Sequence, residues 1–411
     1  MKNKKVIVIG GGPAGMMAAG IAAQNGADVI LIEKNEKTGR KLLITGKGRC
    51  NITNFCDNDE FISNVMTNPR FMYSAINVFS TYDTVAFFEQ LGLPTKIERG
   101  NRVFPVSDKA MDVCDTMRNF VLTSGAKIIN ETVKAIILKD SVASCVKTNV
   151  NTYECDSVIV ATGGLSYPKT GSTGDGYTFA KSLGHTVNTL KPSLVPLVSD
   201  DDFCKELQGL SLRNVAIKLI DNNSKKEIYS DFGEMLFTHF GVSGPTVLSA
   251  SAHMNDMEEG KYSIHIDLKP ALDHDTLDKR LLKDLNKNIN KDICNSLFEL
   301  MPKSLIPVVL SLCLINPHTK CNCVTSKQRE CIVNLLKDFE VRIKDFRPLD
   351  EAIITSGGVN VNEIDPKTME SKLVKSLYFA GEVIDVDAYT GGFNLQIAFS
   401  TGYLSGKNSA L

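Results

Sequence analysis

The chain has no surplus of positive or negative charge and no long apolar run. Its 411 residues include 46 Lys and Arg against 47 Asp and Glu, a net charge of −1. This balance gives no electrostatic reason to expect nucleic acid as the main partner. No apolar run reaches the roughly 18 to 20 residues of a membrane span, so we expect no membrane partner. The lead MKNKK enters a glycine-bearing strand directly, which argues against a cleaved signal peptide.

Cysteine spacing typical of a disulfide framework is also missing. The 11 cysteines are odd in number and scattered, which favours free thiols and a cytoplasmic location. Cys321 and Cys323 form the closest pair, but no second pair or histidine stands at zinc-ligand spacing. We therefore expect no metal site.

The most informative stretch that is present covers residues 6–33, VIVIGGGPAGMMAAGIAAQNGADVILIE. An apolar run, a G-x-G-x-x-G turn at Gly10, Gly12 and Gly15, a small-residue helix and a second apolar run follow in order and end at Glu33. In a dinucleotide-binding βαβ unit the first glycine permits the tight turn, the second lets backbone approach a pyrophosphate, and the third lets the helix pack closely. We expect Glu33 to accept hydrogen bonds from an adenosine ribose.

Three further segments have nucleotide-facing character. Residues 34–54 form a loop rich in Gly, Lys, Arg and Asn, and the apolar strand 157–161 ends in Thr-Gly-Gly. Near the C-terminus, the strand 377–380 ends at Gly381 and Glu382, and residues 391–394 open a helix. A distant element of this kind favours FAD over NAD as the resident cofactor, because a helix N-terminus stabilises negative charge on a reduced flavin.

The middle of the chain has a different pattern. Alternating strands over residues 191–268, including separate strands at 227–230 and 235–238, predict a small antiparallel barrel or sheet. Helical periodicity follows over residues 273–337, as it does earlier over residues 68–92. The predicted fold is α/β: a discontinuous Rossmann-like FAD-binding domain (1–190 and 345–411), an inserted antiparallel β-barrel (191–270) and an inserted helical subdomain (271–344).

Five motifs distributed along the chain carry a family resemblance. They are TGKGRCNITN (45–54), ATGGLSYPKTGSTGDGY (161–177), GEMLFTHFGVSGP (233–245), TSGGV (355–359) and YFAGEVIDVDAYTGGFNLQIAFSTG (378–402). With them the chain resembles the HI0933-like flavoproteins, also called BaiN-like NAD(P)/FAD-dependent oxidoreductases. Lys47 departs from the glycine that this family usually has there.

The resemblance implies a two-dinucleotide FAD domain, built from both chain ends, that binds FAD tightly and non-covalently. Val133 would meet the adenine through its backbone. The expected cofactor contacts are Gly10, Gly12, Pro13, Ala14, Gly15, Glu33, Lys34, Arg40, Lys41, Gly48, Arg49, Cys50, Asn51, Val133, Ala161, Thr162, Gly163, Gly381, Glu382, Asp385, Gly392, Phe393, Asn394, Leu395 and Gln396.

Three residues are candidates for catalysis, each with a plainer alternative. Cys50 follows Arg49, which would favour a thiolate, but no second cysteine stands at relay spacing, so a structural role is the alternative. Tyr389, like Tyr167, is a potential proton donor or a packing residue. His239 lies in the predicted insertion and either reaches the substrate or is a buried, hydrogen-bonded histidine.

These observations predict an FAD-dependent oxidoreductase with a small-molecule substrate. The reaction that the family resemblance implies is NAD(P)H-driven reduction of an activated C=C bond, such as a steroid-like enone, by hydride transfer from flavin N5. No second complete G-x-G-x-x-G unit is present, so NAD(P)H is expected as a transient co-substrate. The alternatives are an amine oxidase that uses O2, a flavoprotein acting on tRNA and a non-catalytic flavin-binding module. The oligomeric state is not specified by these patterns.

Overall fold

The computed structural model describes residues 3–411. Its strands, in chain order, are β1 (Lys5–Ile9), β2 (Asp28–Glu33), β3 (Thr53–Asn54), β4 (Thr95–Glu98), β5 (Arg102–Pro105), β6 (Lys127–Asn130), β7 (Val133–Lys139), β8 (Val142–Thr148), β9 (Thr152–Glu154), β10 (Ser157–Val160), β11 (Lys191–Ser193), β12 (Leu197–Val198), β13 (Ser211–Asp221), β14 (Lys226–Thr238), β15 (Gly241–Ser243), β16 (Tyr262–Asp267), β17 (Phe339–Ile343), β18 (Asp345–Phe346), β19 (Ile354–Ser356) and β20 (Leu377–Phe379).

The α-helices are α1 (Pro13–Gln24), α2 (Asn58–Ser63), α3 (Tyr73–Val78), α4 (Thr81–Gln90), α5 (Ala110–Thr123), α6 (Asp175–Ser182), α7 (Phe203–Glu206), α8 (Pro245–Ser251), α9 (His274–Lys287), α10 (Leu305–Leu312), α11 (Ser326–Lys337) and α12 (Phe393–Ser409). Across residues 3–411, none of the helices combines the length and apolar character needed to cross a membrane.

Two units make up the described chain. The first comprises residues 3–193 together with Leu349–Leu411, and the second comprises Leu194–Pro348. Within the second unit, strands and helices share one hydrophobic core. The domain boundaries expected at residues 190, 270 and 344 stay predictions.

A parallel sheet forms the centre of the first unit, with strand order β20-β10-β1-β2-β6. Strand β1 is apolar and buried because both faces of a parallel sheet are covered. Helix α1 packs backbone to backbone against α12: a Cβ on Gly402 would lie 2.4 Å from the carbonyl oxygen of Ala14, and one on Gly406 would lie 2.4 Å from that of Ala18. The small residues of α12 thus bring the two ends of the chain together.

The second unit is built on an antiparallel sheet with strand order β17-β16-β13-β14-β15-β12-β18. Its edge strands β17 and β18 are consecutive in the chain and separated only by Lys344. The sheet therefore curves round so that its two edges meet in one stretch of chain, as in a barrel. Helices α9, α10 and α11 contribute apolar side chains to the same core.

One local prediction was wrong, and another was confirmed apart from a break in the helix. Strand β14 is continuous where the sequence predicted separate strands at 227–230 and 235–238, because Gly233 pairs with Val215 and a register shift absorbs the irregularity. The helical stretch at 68–92 is interrupted after α3. There Ser80 forms a capping box with Asp83 and starts α4 as a new helix.

Candidate functional site

A cleft lies at the carboxyl edge of the parallel sheet in the first unit. Ile9, Glu33, Ala161 and Ala380, which end or directly follow β1, β2, β10 and β20, all line it. The cleft holds about 1300 Å³ of free space, part of it open to solvent. Ligands of open α/β folds bind at this edge, because the strand ends there leave a crevice between the loops.

The three positions of the first turn are glycine for different structural reasons. Gly10 has φ +103°, and a Cβ there would lie 2.5 Å from the carbonyl oxygen of Ala161. A Cβ on Gly15 would lie 1.9 Å from the carbonyl oxygen of Gly10. Gly12, in contrast, has φ −78°, and a Cβ there would have no protein atom within 4 Å. The fold requires Gly10 and Gly15, whereas the space beside Gly12 is open for a ligand.

Helix α1 points its N-terminus at this open space. It begins at Pro13, and Gly12 at the N-cap makes no side-chain capping bond. The first N–H groups of a helix have no partner within the helix, and together with the helix dipole they favour an anion. Gly12, Pro13 and Ala14 line the cleft, so a pyrophosphate fits here.

Glu33 is held in a fixed orientation at the end of β2. Its Oε2 accepts a hydrogen bond from Gly11 N at 2.7 Å, and its Oε1 accepts from Asn35 N at 2.8 Å and Asn35 Nδ2 at 2.7 Å. The side chain lines the cleft although only 9% of the residue is exposed. The carboxylate is therefore positioned next to the glycine turn, as a ribose-binding acid requires.

Helix α12 brings a second N-terminus to the same cleft. Gly392 at its N-cap has φ +104° and no side-chain capping bond, and Asn394 and Leu395 in the first turn line the cleft. The Asn394 side chain donates to Ala388 O at 2.7 Å and accepts from Ala388 N at 2.9 Å, which fixes the preceding turn. Two positive helix ends thus face one cleft, and this suits a cofactor with a pyrophosphate and a ring that gains negative charge on reduction.

Cationic and polar side chains complete the lining. Lys34 pairs with Asp175 at 2.7 Å, Lys41 pairs with Glu382 at 2.6 Å, and all four line the cleft. Thr162 also lines it, and its buried Oγ1 has no hydrogen-bond partner within residues 3–411. A buried hydroxyl without a partner is costly unless a ligand supplies one, so this observation is consistent with FAD as the occupant.

Some of the expected cofactor contacts line the cleft, and others do not. Its lining includes Gly10, Gly12, Pro13, Ala14, Glu33, Lys34, Arg40, Lys41, Val133, Ala161, Thr162, Gly163, Gly381, Glu382, Asn394 and Leu395. Outside the lining lie Gly15, Gly48, Arg49, Cys50, Asn51, Asp385, Gly392, Phe393 and Gln396.

Arg49 and Cys50 have their own protein environment. The Arg49 guanidinium pairs with Glu98 and, at 2.6 Å, with Asp108, and it stacks over the Phe104 ring at 4.1 Å. Cys50 is completely buried, and desolvation raises the pKa of its thiol to about 12. Burial outweighs the neighbouring arginine, so the structure keeps Cys50 as a neutral thiol and disfavours the thiolate hypothesis.

Gln396 supports α12 from within the core. The residue is fully buried, its Oε1 accepts from Thr53 Oγ1 at 2.6 Å and Thr84 Oγ1 at 2.8 Å, and its Nε2 donates to Phe79 O at 3.2 Å. Nε2 also donates to Ser400 Oγ at 2.9 Å, so both N–H donors and the oxygen of the amide are used within the protein and none is left for a ligand.

Asp385 has a similar structural environment. Its Oδ2 accepts from Asn188 Nδ2 at 2.6 Å and from Asn68 Nδ2 at 3.2 Å. The residue is only 6% exposed. It therefore ties together loops that are distant in sequence.

The catalytic candidates are not all in one place. Tyr389 lies in the half-buried turn before α12, where its N–H donates to Asn64 O at 3.1 Å. Tyr167 is half-buried after β10, and desolvation raises the pKa of its hydroxyl. His239 belongs to the second unit, at the turn between β14 and β15, with its ring 5.0 Å from that of Phe240. His239 is exposed, so the buried-histidine alternative was wrong.

Asp387, also in the turn before α12, is a buried acid. Ser193 Oγ donates to its Oδ2 at 2.8 Å, and its Oδ1 has no hydrogen-bond partner among residues 3–411. Desolvation raises the pKa of the carboxyl group above its usual value. Asp387 can therefore retain a proton to a higher pH than an exposed aspartate can.

Sequence reasoning missed several residues of the cleft wall. Asn35, Glu131, Ile353 and Ile354 line the cleft, as do residues 170–172. Residues 170–172 could have been predicted from the glycine-rich composition of their segment. Glu131 offered none, because its position depends on hydrogen bonds from Thr148, Asn151 and Tyr153 that only the folded β7–β9 sheet brings together.

Comparison with known proteins agrees with this architecture. The model of the family described as "HI0933-like protein Rossmann domain" matches residues 4–408. The 3-dehydro-bile acid delta(4,6)-reductase of Clostridium scindens is 32% identical, over 99% of this chain and 99% of its own length. The ribosomal RNA dihydrouridine synthase of Escherichia coli is 30% identical, over 98% of this chain and 97% of its own length.

A solved structure supports the fold independently. The 3-ketosteroid-delta4-(5alpha)-dehydrogenase from Rhodococcus jostii RHA1 aligns with a TM-score of 0.54 at 13% identity, over 100% of this chain and 98% of that chain. The predicted fold class, a Rossmann-type FAD-binding fold with an antiparallel insertion, is confirmed. The chain is an FAD-dependent oxidoreductase, and it belongs to the HI0933-like family.

Proposed function

We propose that this protein reduces a C=C bond conjugated to a carbonyl group, with NADH or NADPH as the electron donor. The observation that carries the proposal is the full-length similarity to a bile acid reductase and to RNA dihydrouridine synthases. Saturation of a 3-oxo-4,6-diene and of the uracil ring are the same chemistry, because in both a double bond next to a carbonyl gains two hydrogens. The substrate class is thus defined by its enone-like group.

The chain's own residues would hold the cofactor at both ends. Gly12, Ala14 and the α1 N-terminus would bind the pyrophosphate, and Glu33 would bind the adenosine ribose. The α12 N-terminus at Asn394 and Leu395 would stabilise negative charge at the ring system. When bound, FAD supplies hydride transfer from N5 to the electron-poor carbon of the substrate.

The proton for the second carbon requires an acid from the chain or the solvent. We propose Tyr389, with Asp387 two residues before it as a buried carboxyl of raised pKa in the same turn. Tyr389→Phe should slow reoxidation of the reduced enzyme by substrate by about 10² to 10⁴-fold, the usual contribution of a positioned acid. Reduction by NAD(P)H should be unchanged. Tyr167→Phe is the matched control, and equal effects of the two variants would contradict the assignment.

The reductase proposal is tested by anaerobic titration of the purified holoenzyme with NADH and with NADPH. Bleaching of the flavin absorbance, followed by recovery when a 3-oxo-4,6-diene steroid is added, is the expected result. If neither nicotinamide bleaches the enzyme, the proposed electron donor is wrong. If amines bleach it and oxygen restores it with peroxide release, the amine oxidase alternative replaces the reductase.

Uridine in ribosomal RNA is a second candidate substrate. Its support is specific, because the synthases of Escherichia coli and Haemophilus influenzae are both 30% identical over at least 97% of this chain. The net charge of −1 weighs against it, since RNA binding draws on cationic side chains that neutralise phosphates. The reduced enzyme should therefore be offered ribosomal RNA and steroid separately. Dihydrouridine found by mass spectrometry, without steroid turnover, would favour the RNA substrate.

A further inference from the structure

One small sheet of the first unit ends in an open edge strand. In the sheet β3-β5-β4, strand β4 pairs with β5 alone among residues 3–411, and Ile97 lies opposite Val103. The carbonyl oxygen of Val103 accepts from Ile52 N at 2.8 Å on the far side of β5. Residues opposite each other in an antiparallel pair direct their backbone groups either toward each other or both away. The N–H and C=O of Ile97 therefore point outward from the sheet edge.

The side chain at the centre of this edge is apolar and exposed. Ile97 is 51% exposed. Thr95 lies on the same face of β4, where its Oγ1 donates to Glu89 Oε1 of α4 at 2.8 Å. Helix α4 packs against β4, and Tyr82 within it and Leu91 at its end are also exposed. An open edge with exposed apolar side chains is suited to pairing with a further strand.

Two opposite charges flank Ile97 on the other face of β4. Lys96 Nζ donates to Asp108 Oδ2 at 2.6 Å, and the Glu98 carboxylate pairs with the Arg49 guanidinium. These contacts hold both side chains beside the edge strand. The sequence of the strand therefore reads cation, exposed isoleucine, anion, and this order is complementary to itself when a second copy runs in the opposite direction.

The charges select a single register for such a pair. With the two Ile97 residues opposite each other, Lys96 of each copy lies opposite Glu98 of the other, at positions where side chains approach closely. A shift by two residues in either direction places Lys96 opposite Lys96 or Glu98 opposite Glu98, which is unfavourable. A two-fold axis through Ile97 is thus the arrangement that satisfies both charges, and two-fold dimers are the commonest protein assemblies.

We propose that β4 is the dimer interface of this protein, and that it pairs antiparallel with β4 of a second copy about a two-fold axis at Ile97. The two outward N–H groups of Ile97 donate to the two outward carbonyl oxygens, and the three-stranded sheets join into one of six strands. The exposed side chains of α4 add apolar area beside the paired strands. The proposal goes beyond the redox function and requires neither cofactor nor substrate.

Sedimentation equilibrium of the purified holoenzyme tests the central pair. The wild type should form dimers in a concentration-dependent manner. Ile97→Pro removes the outward N–H, which β5 does not use, so the strand should form while the dimer is lost. Ile97→Val keeps the N–H and is the matched control that should still dimerise. A wild type that stays monomeric would leave the edge to a strand of another protein and overturn the proposal, as would an Ile97→Pro protein that dimerises like the wild type.

The register is tested by exchanging the charges. Lys96→Glu or Glu98→Lys alone places like charges opposite each other twice, and each should raise the dimer Kd roughly ten- to a hundredfold. An equimolar mixture of the two variants should form heterodimers in native mass spectrometry, because every opposed pair is then of opposite sign. Absence of the heterodimer would refute this register.

Hydrogen exchange of wild-type residues 95–99 gives a readout that needs no variant. The Ile97 amide should become more protected as the protein concentration rises, because its N–H is bonded only in the dimer. Exchange at this amide that does not change with concentration, in a protein that sediments as a dimer, would place the interface elsewhere.

Discussion

A methyl group at Gly12 should strongly weaken cofactor binding without disturbing the fold. A Cβ at this position has no protein atom within 4 Å, and φ of −78° suits any residue. The methyl group would instead enter the space where the N-terminus of α1 is expected to hold the pyrophosphate. Gly12→Ala therefore separates the requirement of the ligand from that of the fold.

Two opposing contributions set the stability of the Gly12→Ala apoprotein, and the loss of pyrophosphate contacts sets its affinity for FAD. Replacing glycine by alanine at an ordinary φ stabilises a protein by about 0.4–1 kcal/mol, and the poorer N-cap costs about as much, so the apoprotein should stay within about 1 kcal/mol of the wild type. Displacing the pyrophosphate removes at least two charge-assisted hydrogen bonds, roughly 3–6 kcal/mol together. That loss raises the Kd for FAD by roughly 10² to 10⁴-fold.

Calorimetric FAD binding and thermal unfolding of the apoprotein check this prediction. Gly12→Ala should unfold at the wild-type temperature without FAD and lose the stabilisation that FAD confers, about 2.7 kcal/mol at a ligand concentration of 100 Kd. Gly15→Ala is the opposite control, because its Cβ would lie 1.9 Å from the carbonyl oxygen of Gly10 and should impair folding itself. A Gly12→Ala protein that binds FAD with wild-type affinity would refute the reasoning.

Three further predictions concern stability. Gly406→Ala should destabilise the protein by about 1–3 kcal/mol in a thermal melt, since its Cβ would lie 2.4 Å from the Ala18 carbonyl oxygen. Lys407→Ala, on the exposed face of α12, is the control in the same melt. The unfolding free energy should fall as pH rises from 9.0 toward about 12, because burial raises the pKa of the Cys50 thiol and the folded chain keeps a proton that the unfolded chain loses. Urea titrations of Cys50→Ala should show a shallower fall. Arg342→Met removes two guanidinium contacts to Asp201 and should cost about 0.2–1 kcal/mol by denaturant titration, because 72% of the Arg342 side chain is exposed and Asp201 keeps the bond from Arg342 N. FAD affinity should be unchanged, because the cleft is built by the first unit.

The first βαβ unit could be predicted from sequence because its requirements are local. The strand, turn, helix and second strand at residues 5–33 each follow from apolar runs and glycine spacing. The C-terminal turn was predictable for the same reason, since Gly392 and the start of α12 at Phe393 are marked by adjacent glycines. Short-range sterics determine both elements, and one sequence is sufficient to recognise them.

Other features depend on partners that are distant in sequence. The continuity of β14 depends on pairing with β13, and the orientation of Glu131 depends on β8 and β9. The family resemblance implies Arg49 as a cofactor contact, and that contact stays a prediction. In the structure the Arg49 side chain pairs with Glu98 and Asp108, about 50 and 60 residues away, and no local pattern connects such charges.

The glycine motif therefore combines two kinds of constraint that sequence alone does not separate. Gly10 and Gly15 meet neighbouring backbone, as Gly392 does where its Cβ would lie 2.3 Å from the carbonyl carbon of Thr53, so a protein of this fold would need them with or without a cofactor. Gly12 meets no protein atom, so packing does not require its small size, and we expect the requirement to come from what the cleft binds. Among the three glycines of the first turn, Gly12 is consequently the one whose identity reports on the ligand rather than on the packing of the chain.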